Sequence, residues 1–248
     1  MRFLRVSLIV AGCLITAAVV VGAIIVLSVP DGGNSRSQSP SFAHEAPLVA
    51  APHPVGAGLA GLADAAWIAA TAKSTGIPAR ALEAYAGAAI TVANSGTGCG
   101  IGWNTLAAVG EVESRHGTIF GGNIAPDGDA TPAIFGVPLS GGAFANIPDS
   151  DGGTIDGDAT IDRAVGPMQL IPATWRNWHV DGNGDGVQNP QNIDDATLAA
   201  AHYLCRAGGQ KMGTEAGWRK AVLAYNHSNR YLSEIIHYAT QYESKSGR

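Results

Sequence analysis

WNTLAAVGEVESRHG, residues 103–117, is the stretch that decides the fold of this chain of 248 residues. At about 100° per residue, Leu106 and Val109 define one apolar stripe, as on a helix that packs against a core. Glu113 lies on the same stripe, seven residues after Leu106. The pattern predicts a helix over residues 101–116 that carries one carboxylate on its inward face.

The inward position makes Glu113 a candidate catalytic acid. A carboxylate on an apolar face is costly unless it is paired or neutralised, and burial raises its pKa toward the range that a general acid needs near neutral pH. The alternative is a Glu in a structural ion pair or at a fraying helix end. Glu111 points roughly the opposite way, and we expect it to form an ordinary surface pair with Arg115 at i, i+4.

Helical patterns continue on both sides of this stretch. They cover residues 62–76, 78–93, 172–178, 196–206, 218–225 and 231–242. Residues 117–162 are instead rich in Gly, Pro, Asp and Thr, which favours loops, with room for a short hairpin, over long elements. These patterns predict one folded domain that is mainly α.

Near the N-terminus, residues 7–29 form a run of 23 residues without a charge, long enough as a helix to span a hydrocarbon core of about 30 Å. Arg2 and Arg5 precede it, so the positive-inside tendency keeps residues 1–6 in the cytoplasm and sends the rest of the chain outside. We expect a single-pass membrane anchor. The alternatives are a cleaved signal peptide and a lipoprotein signal lipidated at Cys13.

Composition defines the remaining organisation and limits the partners. Residues 30–61 are rich in Pro, Gly, Ser and Ala, which predicts a flexible linker, and residues 62–248 form the predicted domain. A net charge of -5 and a pI near 5.7 provide no field that would gather a polyanion. We therefore expect no nucleic-acid partner, and an uncharged polymer fits better.

The chain has three cysteines. Cys13 lies inside the predicted membrane span, which leaves Cys99 and Cys205 as an even pair in an oxidising compartment. A disulfide between them is plausible there. Two unrelated buried thiols remain the alternative, because spacing alone does not give the required geometry.

Two further motifs attract attention, although neither indicates a function by itself. Residues 166–172, GPMQLIP, predict a turn that feeds a helix with Pro172 in its first turn. Residues 224–226, AYN, end an apolar helical run, where Tyr225 would by default be a core aromatic residue with a satisfied hydroxyl.

Together with residues 112–117, VESRHG, these motifs resemble the lytic murein transglycosylases. The similarity is closest to the B family in its actinobacterial, membrane-anchored form. It extends from about residue 62 to the C-terminus and includes Tyr231, which follows the AYN motif. The resemblance implies a lysozyme-like, mainly helical domain related to goose-type lysozyme.

The resemblance also assigns roles to single residues. Glu113 would be the one catalytic acid and base. His116 stands where an aromatic residue is commoner in the family, a departure that would alter a sugar contact. The implied substrate-binding residues are Ser114, Met168, Gln169, Tyr225 and Asn226.

The implied substrate is peptidoglycan, and the implied reaction departs from the general rule that glycosidases use two carboxylates. Glu113 would protonate the oxygen between N-acetylmuramic acid and N-acetylglucosamine, while the substrate's own acetamido group stabilises charge at C1. The same residue would then take the proton of the C6 hydroxyl, which closes on C1 to form a 1,6-anhydro sugar. Catalysis would need no cofactor, and other cell-wall enzymes are candidate partners.

Residues 181–186, DGNGDG, begin like a calcium-binding EF-hand loop. Asp181, Asn183 and Asp185 supply oxygen ligands at alternate positions, and Gly186 stands at the sixth. The twelfth position, where the standard loop has Glu, is Asn192. The loop is thus either an Asx-rich turn without metal or a longer loop that a later carboxylate closes.

The resemblance favours the longer loop, because members of the B family have one. Its closing carboxylate would be Asp195, with Asp194 as a close rival, and the carbonyl of Val187 would complete the ligand set. Oxygen ligands suit a hard cation. We therefore expect a structural Ca²⁺ ion.

Other readings remain open at this stage. A lysozyme-type hydrolase would use Glu113 and a loop aspartate such as Asp162 to activate water, and a binding module would recognise the wall without cutting it. A second acidic loop is expected to be solvated; its members are Asp149, Asp151, Asp156, Asp158 and Asp162. The histidines show no H-E-x-x-H spacing, so a catalytic zinc is unsupported.

Overall fold

A computed structural model describes residue 49 and residues 58–142 and 145–246. Within that part the chain forms seven α-helices and one two-stranded antiparallel sheet, which confirms the prediction of a mainly α domain. The helices are α1 (Ala65–Thr75), α2 (Ala79–Asn94), α3 (Trp103–Ser114), α4 (Pro172–Trp178), α5 (Ile193–Ala207), α6 (Glu215–Tyr225) and α7 (Asn229–Lys245).

The predicted membrane anchor, residues 7–29, and the predicted cytoplasmic residues 1–6 lie outside the described residues. Most of the predicted linker lies outside them as well. No helix of the described part combines the length and the apolar character that a bilayer span requires.

Most helices begin at a capping side chain that satisfies a backbone N–H of the first turn. Asp64 accepts from the Trp67 N–H at 2.9 Å to begin α1, and Thr214 accepts from the Gly217 N–H at 3.2 Å to begin α6. Asn192 caps α5, which therefore begins at Ile193, earlier than the apolar pattern predicts. Aspartates in its first turn favour this start, because they complement the helix dipole.

Helix α3 is the central helix of the domain. It packs against α2, α5 and α7, and its residues from Trp103 to Gly110 are all buried. Trp103 also meets Trp67 of α1 edge to face, with ring centroids 5.4 Å apart. A helix buried around most of its surface has no solvated face on which to display charge, so its two charged residues, Glu111 and Glu113, lie near its C-terminal end.

The predicted hairpin exists, and the rest of the loop region is held by isolated contacts. Strand β1 (Asn123–Ile124) pairs antiparallel with β2 (Ala130–Thr131). Farther along, the Gly136 N–H donates to the Ala164 carbonyl at 2.8 Å, which folds residues 134–142 back onto the segment before α4. The loop region thereby becomes a wall beside the end of α3.

Two residues of the predicted linker, Gly58 and Leu59, pack on the domain. Leu59, inside the predicted linker, is 3% exposed, and its N–H donates to the Gly182 carbonyl at 2.9 Å. A Cβ added to Gly58 would lie 2.2 Å from the Asn183 carbonyl oxygen, so the chain enters the domain in close contact with the DGNGDG loop. Composition missed this because Leu59 is a single apolar residue within a small-residue stretch.

Cys99 and Cys205 form a disulfide across a sequence separation of 106 residues, which is one of the two alternatives left open by the sequence. The bond joins the segment before α3 to the last turn of α5. Closing so long a loop restricts the unfolded chain, which in the chain-entropy account stabilises the fold.

Candidate active site

Glu113 lies at the C-terminal end of α3 and lines a cleft of about 700 Å³. One wall is apolar and comes from the loop region and the turn before α4; it includes Val137, Leu139, Ile147, Leu170 and Ile171. The polar side comes mainly from the ends of α6 and α7; it includes Tyr225, Asn226, His227 and Ser228. Such a cleft suits an elongated ligand with both apolar and hydroxyl groups.

The Glu113 carboxyl is partly buried and has one hydrogen-bond partner from the protein, the hydroxyl of Tyr231, which donates to Oε1 at 2.6 Å. Burial raises the pKa of Glu113 from 4.5 to about 7, and the bond from Tyr231 offsets part of that shift. A group with this pKa is present in both protonation states near neutral pH. It can therefore give a proton and later accept one.

Tyr231 and Tyr225 form a stacked pair behind the carboxyl, with ring centroids 6.4 Å apart and an interplanar angle of 6°. Tyr225 donates to the Met168 carbonyl at 2.6 Å. Burial, with the nearby Glu113 charge, holds the pKa of both tyrosines well above the ordinary value, so both remain hydrogen-bond donors at neutral pH.

A tight turn between two helices brings these tyrosines together. Helix α6 ends at Tyr225, and Ser228 begins α7 by accepting the Tyr231 N–H at 3.4 Å. Asn226 is the C-terminal cap of α6 and is exposed in the cleft, as the predicted substrate role requires. In the sequence, Tyr231 follows the AYN motif without a predicted role, and its spacing after the helix break is the signal that points to one.

Residues 166–169, the GPMQ turn, include two predicted substrate-binding residues, Met168 and Gln169, and one of the two lines the cleft. Gln169 lines the cleft and adopts a left-handed backbone conformation, φ 47°, while its side-chain amide donates to the Gly166 carbonyl at 3.0 Å. Gly166 is required there, since a Cβ would lie 1.7 Å from the Pro190 carbonyl oxygen. The predicted side-chain role of Met168 is not supported, because that side chain is fully buried and only its carbonyl serves the site, by holding Tyr225.

Ser114 also differs from its predicted role as a substrate-binding residue. The side chain is 1% exposed, its hydroxyl donates to the Pro167 carbonyl at 2.7 Å, and it accepts from the Gly117 N–H at 2.8 Å. With both contacts made inside the protein, Ser114 ties the end of α3 to the GPMQ turn. A direct sugar contact is not supported by this placement.

The prediction that Glu111 forms a surface pair with Arg115 is wrong. Glu111 is partly buried and pairs with His116, with Oε2 and Nε2 3.0 Å apart, and this bond lowers the pKa of Glu111. His116 is 4% exposed and does not line the cleft, so the expected effect on a sugar contact is not supported either. The chain turns back sharply after α3, which takes Arg115 outward and His116 inward.

Glu113 is the one acidic residue that lines the cleft in the described part of the chain. Asp162, the rival second carboxylate, is fully buried elsewhere and accepts from the Ser150 N–H at 2.9 Å and the Ser150 hydroxyl at 2.7 Å. A smaller pocket of about 300 Å³ also reaches Glu113 and adds Glu111 and Glu234, which pair with His116 and Arg230.

The sequence predicts that the acidic loop containing Asp162 is solvated, but two of its aspartates are buried. Asp156 and Asp162 are buried, and the Asp149 carboxylate accepts from the N–H groups of Gly152 and Gly153. Ligand atoms of Asp149, Asp151 and Asp162 lie within 4.8 Å of one another. The carboxylates stabilise the loop by accepting its own backbone hydrogen bonds.

In the DGNGDG loop, backbone N–H groups donate to the first carboxylate, Asp181. Asp181 accepts from the Gly184 N–H at 2.7 Å and the Gly186 N–H at 2.8 Å, and Asp185 accepts from the Val187 N–H at 2.7 Å. Asn183 donates to Asp185 through its amide at 2.9 Å. These side chains carry carboxylate and amide oxygens, the donors that calcium prefers, and they bond to the loop's own backbone and to one another.

The two candidates for the closing carboxylate are separated by their partners. Asp194 forms a buried ion pair with Arg80, which commits it outside the loop. Asp195 is fully buried and bonds back to the loop through the Gly182 N–H at 2.7 Å. Burial raises the pKa of Asp195 from 3.8 to about 6, and hydrogen bonds from three backbone N–H groups offset part of the rise.

Comparison with known families gives one match. Residues 158–223 match the family model described as Transglycosylase SLT domain, which is roughly a quarter of the chain. The matched part contains the GPMQ turn and the DGNGDG loop, whereas Glu113 lies before it and Tyr225 just after it. No curated protein and no solved structure matches the chain.

The raised pKa of Glu113 predicts that the carboxyl destabilises the fold at alkaline pH. A folded pKa of about 7, against 4.5, contributes stability that is complete below pH 4.5 and lost as the pH rises through 7. We expect Glu113→Gln to raise the free energy of unfolding by about 2–3 kcal/mol at pH 8, and to change it little at pH 4. Thermal unfolding at both pH values measures this difference.

The matched control is Glu215→Gln, which removes an exposed carboxylate in the first turn of α6. It should change stability little at either pH. If Glu113→Gln raised the free energy of unfolding equally at pH 4 and pH 8, a raised pKa of Glu113 would be contradicted.

Proposed function

We propose that this protein is a peptidoglycan lytic transglycosylase that uses Glu113 alone as acid and then as base. The observation that carries the proposal is a cleft lined by one carboxyl, with a pKa of about 7 and a tyrosine donor on one of its oxygens. The SLT match over residues 158–223 supports the substrate class. Membership of the B family, in its actinobacterial membrane-anchored form, is part of the proposal.

In the first step Glu113 acts as an acid. Tyr231 occupies Oε1, which leaves Oε2 to carry the proton toward the glycosidic oxygen between N-acetylmuramic acid and N-acetylglucosamine. The bond from C1 to that oxygen breaks, and the proton of Glu113 passes to the leaving sugar. The substrate's acetamido oxygen bonds to C1 and takes the place of a second enzyme carboxylate.

In the second step Glu113, now a carboxylate, acts as a base. The hydrogen bond from Tyr231 stabilises the negative charge formed in the first step. Glu113 removes the proton of the C6 hydroxyl, whose oxygen bonds to C1 while the acetamido oxygen leaves. The product is a 1,6-anhydro sugar, Glu113 regains its proton, and no water is consumed.

The apolar wall of the cleft supports a substrate with methyl-bearing substituents. Val137, Leu139 and Ile147 present aliphatic surface, and acetamido and lactyl methyl groups of the glycan match it. Gln169 and Asn226 also line the cleft and offer amides for sugar hydroxyls.

Product analysis tests the function. Digestion of purified peptidoglycan should release muropeptides with muramic acid lighter by one water than the reducing-end form. Glu113→Gln should lower the rate by roughly 10²–10⁴-fold, because Gln cannot transfer a proton, and Glu215→Gln should keep the rate. Reducing-end products alone would assign a hydrolase, and release of no muropeptides by the wild type would favour a binding module. Identical products from Glu113→Gln and wild type would exclude Glu113 as the catalytic residue.

The proposed location is the outer side of the cytoplasmic membrane, with residues 7–29 as the anchor and the folded domain on the wall side. Close packing of Gly58 and Leu59 on the domain supports a tether that ends just before them. Mass spectrometry of the membrane fraction should find an intact N-terminus. A chain starting after residue 29, or a lipid on Cys13, would replace the anchor by a cleaved or lipidated form.

A structural calcium ion is the proposed occupant of the DGNGDG loop. Asp181, Asn183, Asp185 and Asp195, with the Val187 carbonyl, would hold it, and the cation would compensate the buried charge of Asp195. Its contribution would be to the stability of the loop and of the adjoining start of α5.

Calcium titration tests this assignment. At about 100 times its Kd, Ca²⁺ should add about 2.7 kcal/mol to the free energy of unfolding, and Asp181→Asn should abolish the gain. Asp149→Asn in the other acidic loop is the matched control and should keep it. Equal melting temperatures of the wild type with Ca²⁺ and with a chelator would rule out the site.

A further inference from the structure

A buried polar cluster lies immediately behind the active-site end of α3, and the proposed chemistry does not use it. Its centre is the imidazole of His116. Nδ1 is 3.1 Å from the Tyr85 hydroxyl of α2, and Nε2 is 3.0 Å from the Tyr242 hydroxyl of α7. Nε2 also lies 3.0 Å from Glu111 Oε2, to which Tyr242 donates at 3.3 Å. One side chain thus connects three helices.

The backbone at His116 is in a conformation that it would not adopt without support. Arg115 and His116 are both left-handed, with φ of 52° and 58°, although neither is glycine. The left-handed region costs roughly 1–2 kcal/mol for each such residue, and it persists where surrounding contacts require it. The three contacts of the His116 side chain supply that requirement.

The cluster and the active site are connected through α7. Tyr242 follows Tyr231 by eleven residues, close to three helical turns, so both project from the same face of α7 about 16 Å apart along its axis. Tyr231 bonds to Glu113, whereas Tyr242 bonds to Glu111 and His116. Because these bonds hold α7 at two points far apart along its axis, the two tyrosines fix the position of α7 against the end of α3.

Close packing on the α2 side leaves little freedom for adjustment. A Cβ added to Gly110 of α3 would lie 2.0 Å from the Tyr85 hydroxyl oxygen. Tyr85 therefore crosses α3 directly over Gly110 on its way to His116, and its side chain is fully buried. The cluster is anchored on a rigid partner rather than on a loop.

We propose that His116 is a positioning residue, which fixes α7 through Tyr242 and thereby holds the Tyr231 hydroxyl on Glu113. The inference rests on the proposed function, since its consequence is the reactive geometry of Glu113. It assigns the link to Nε2, the nitrogen that meets Tyr242 and Glu111; the bond of Nδ1 to Tyr85 anchors the ring.

Two amide variants separate the nitrogens. His116→Gln places an amide group near the position of Nε2 and keeps a partner for Tyr242, whereas His116→Asn reaches only the position of Nδ1. We expect His116→Asn to lower kcat roughly tenfold or more, since small misplacements of a catalytic group are costly, with KM within about twofold. His116→Gln should retain most of the wild-type kcat.

A purely structural role for His116 predicts another order. Asn tolerates the left-handed backbone better than Gln, so thermal unfolding should rank His116→Asn at or above His116→Gln. Equal kcat values for the two variants, or a kcat that follows their stability, would overturn the positioning role. Ile235→Val, which trims a fully buried residue of the same helix, is the control for lost packing and should keep kcat.

A double-mutant cycle tests the connection to Tyr231. Tyr231→Phe removes the bond that lowers the pKa of Glu113, so the alkaline limb of the pH–rate profile should move upward. His116→Asn should shift the same limb in the same direction. When His116→Asn is added to Tyr231→Phe, kcat should fall less than threefold further. If the double variant instead loses the product of the two single losses in kcat, the connection is contradicted.

Glu113→Gln separates the inference from the function on which it rests. If Glu113→Gln is inactive while His116→Asn keeps the wild-type kcat and pH profile, the positioning role alone is refuted. If Glu113→Gln cuts peptidoglycan as the wild type does, the proposed function itself is refuted.

Discussion

The contact between the Glu113 carboxyl and the Tyr231 hydroxyl is the interaction on which the site depends. Desolvation at the end of a buried helix raises the pKa of Glu113, and the hydrogen bond that Tyr231 donates offsets part of the rise. Neither effect alone would leave an acid that can also act as a base near pH 7. The rest of the structure supplies the two conditions: a central helix without solvent around it, and a second helix that carries the donor.

The second condition explains why so much of the site is built from groups that never face the cleft. Met168 holds Tyr225 through a carbonyl, Ser114 ties α3 to the GPMQ turn, and His116 joins α3 to α2 and α7. A hydrogen bond transmits a position only if both of its ends are fixed. The buried polar groups around Glu113 fix them, and the cleft itself is left to Gln169, Tyr225 and Asn226.

Several features could be read from the sequence because they depend on local periodicity or local chemistry. The phase of α3 put Glu113 on the inward face, and in the structure Glu113 lines the cleft and meets Tyr231. Glu111, expected on the solvated side, is partly buried and meets Tyr242 and His116. Helix boundaries were less exact. Asn192 moves the start of α5 forward because a cap acts through one side-chain hydrogen bond, which an apolar pattern does not register.

The sequence by itself determined that the domain is mainly α, that Glu113 is the inward carboxylate of its helix, and that Cys99 and Cys205 could pair, because each follows from spacing and residue type. Only the tertiary structure decided what surrounds them. Whether Met168 packs in the core, and whether Glu111 pairs with Arg115 or His116, depends on residues brought close from distant parts of the chain. Burial and charge pairing arise from that approach, so helical phase alone does not contain them.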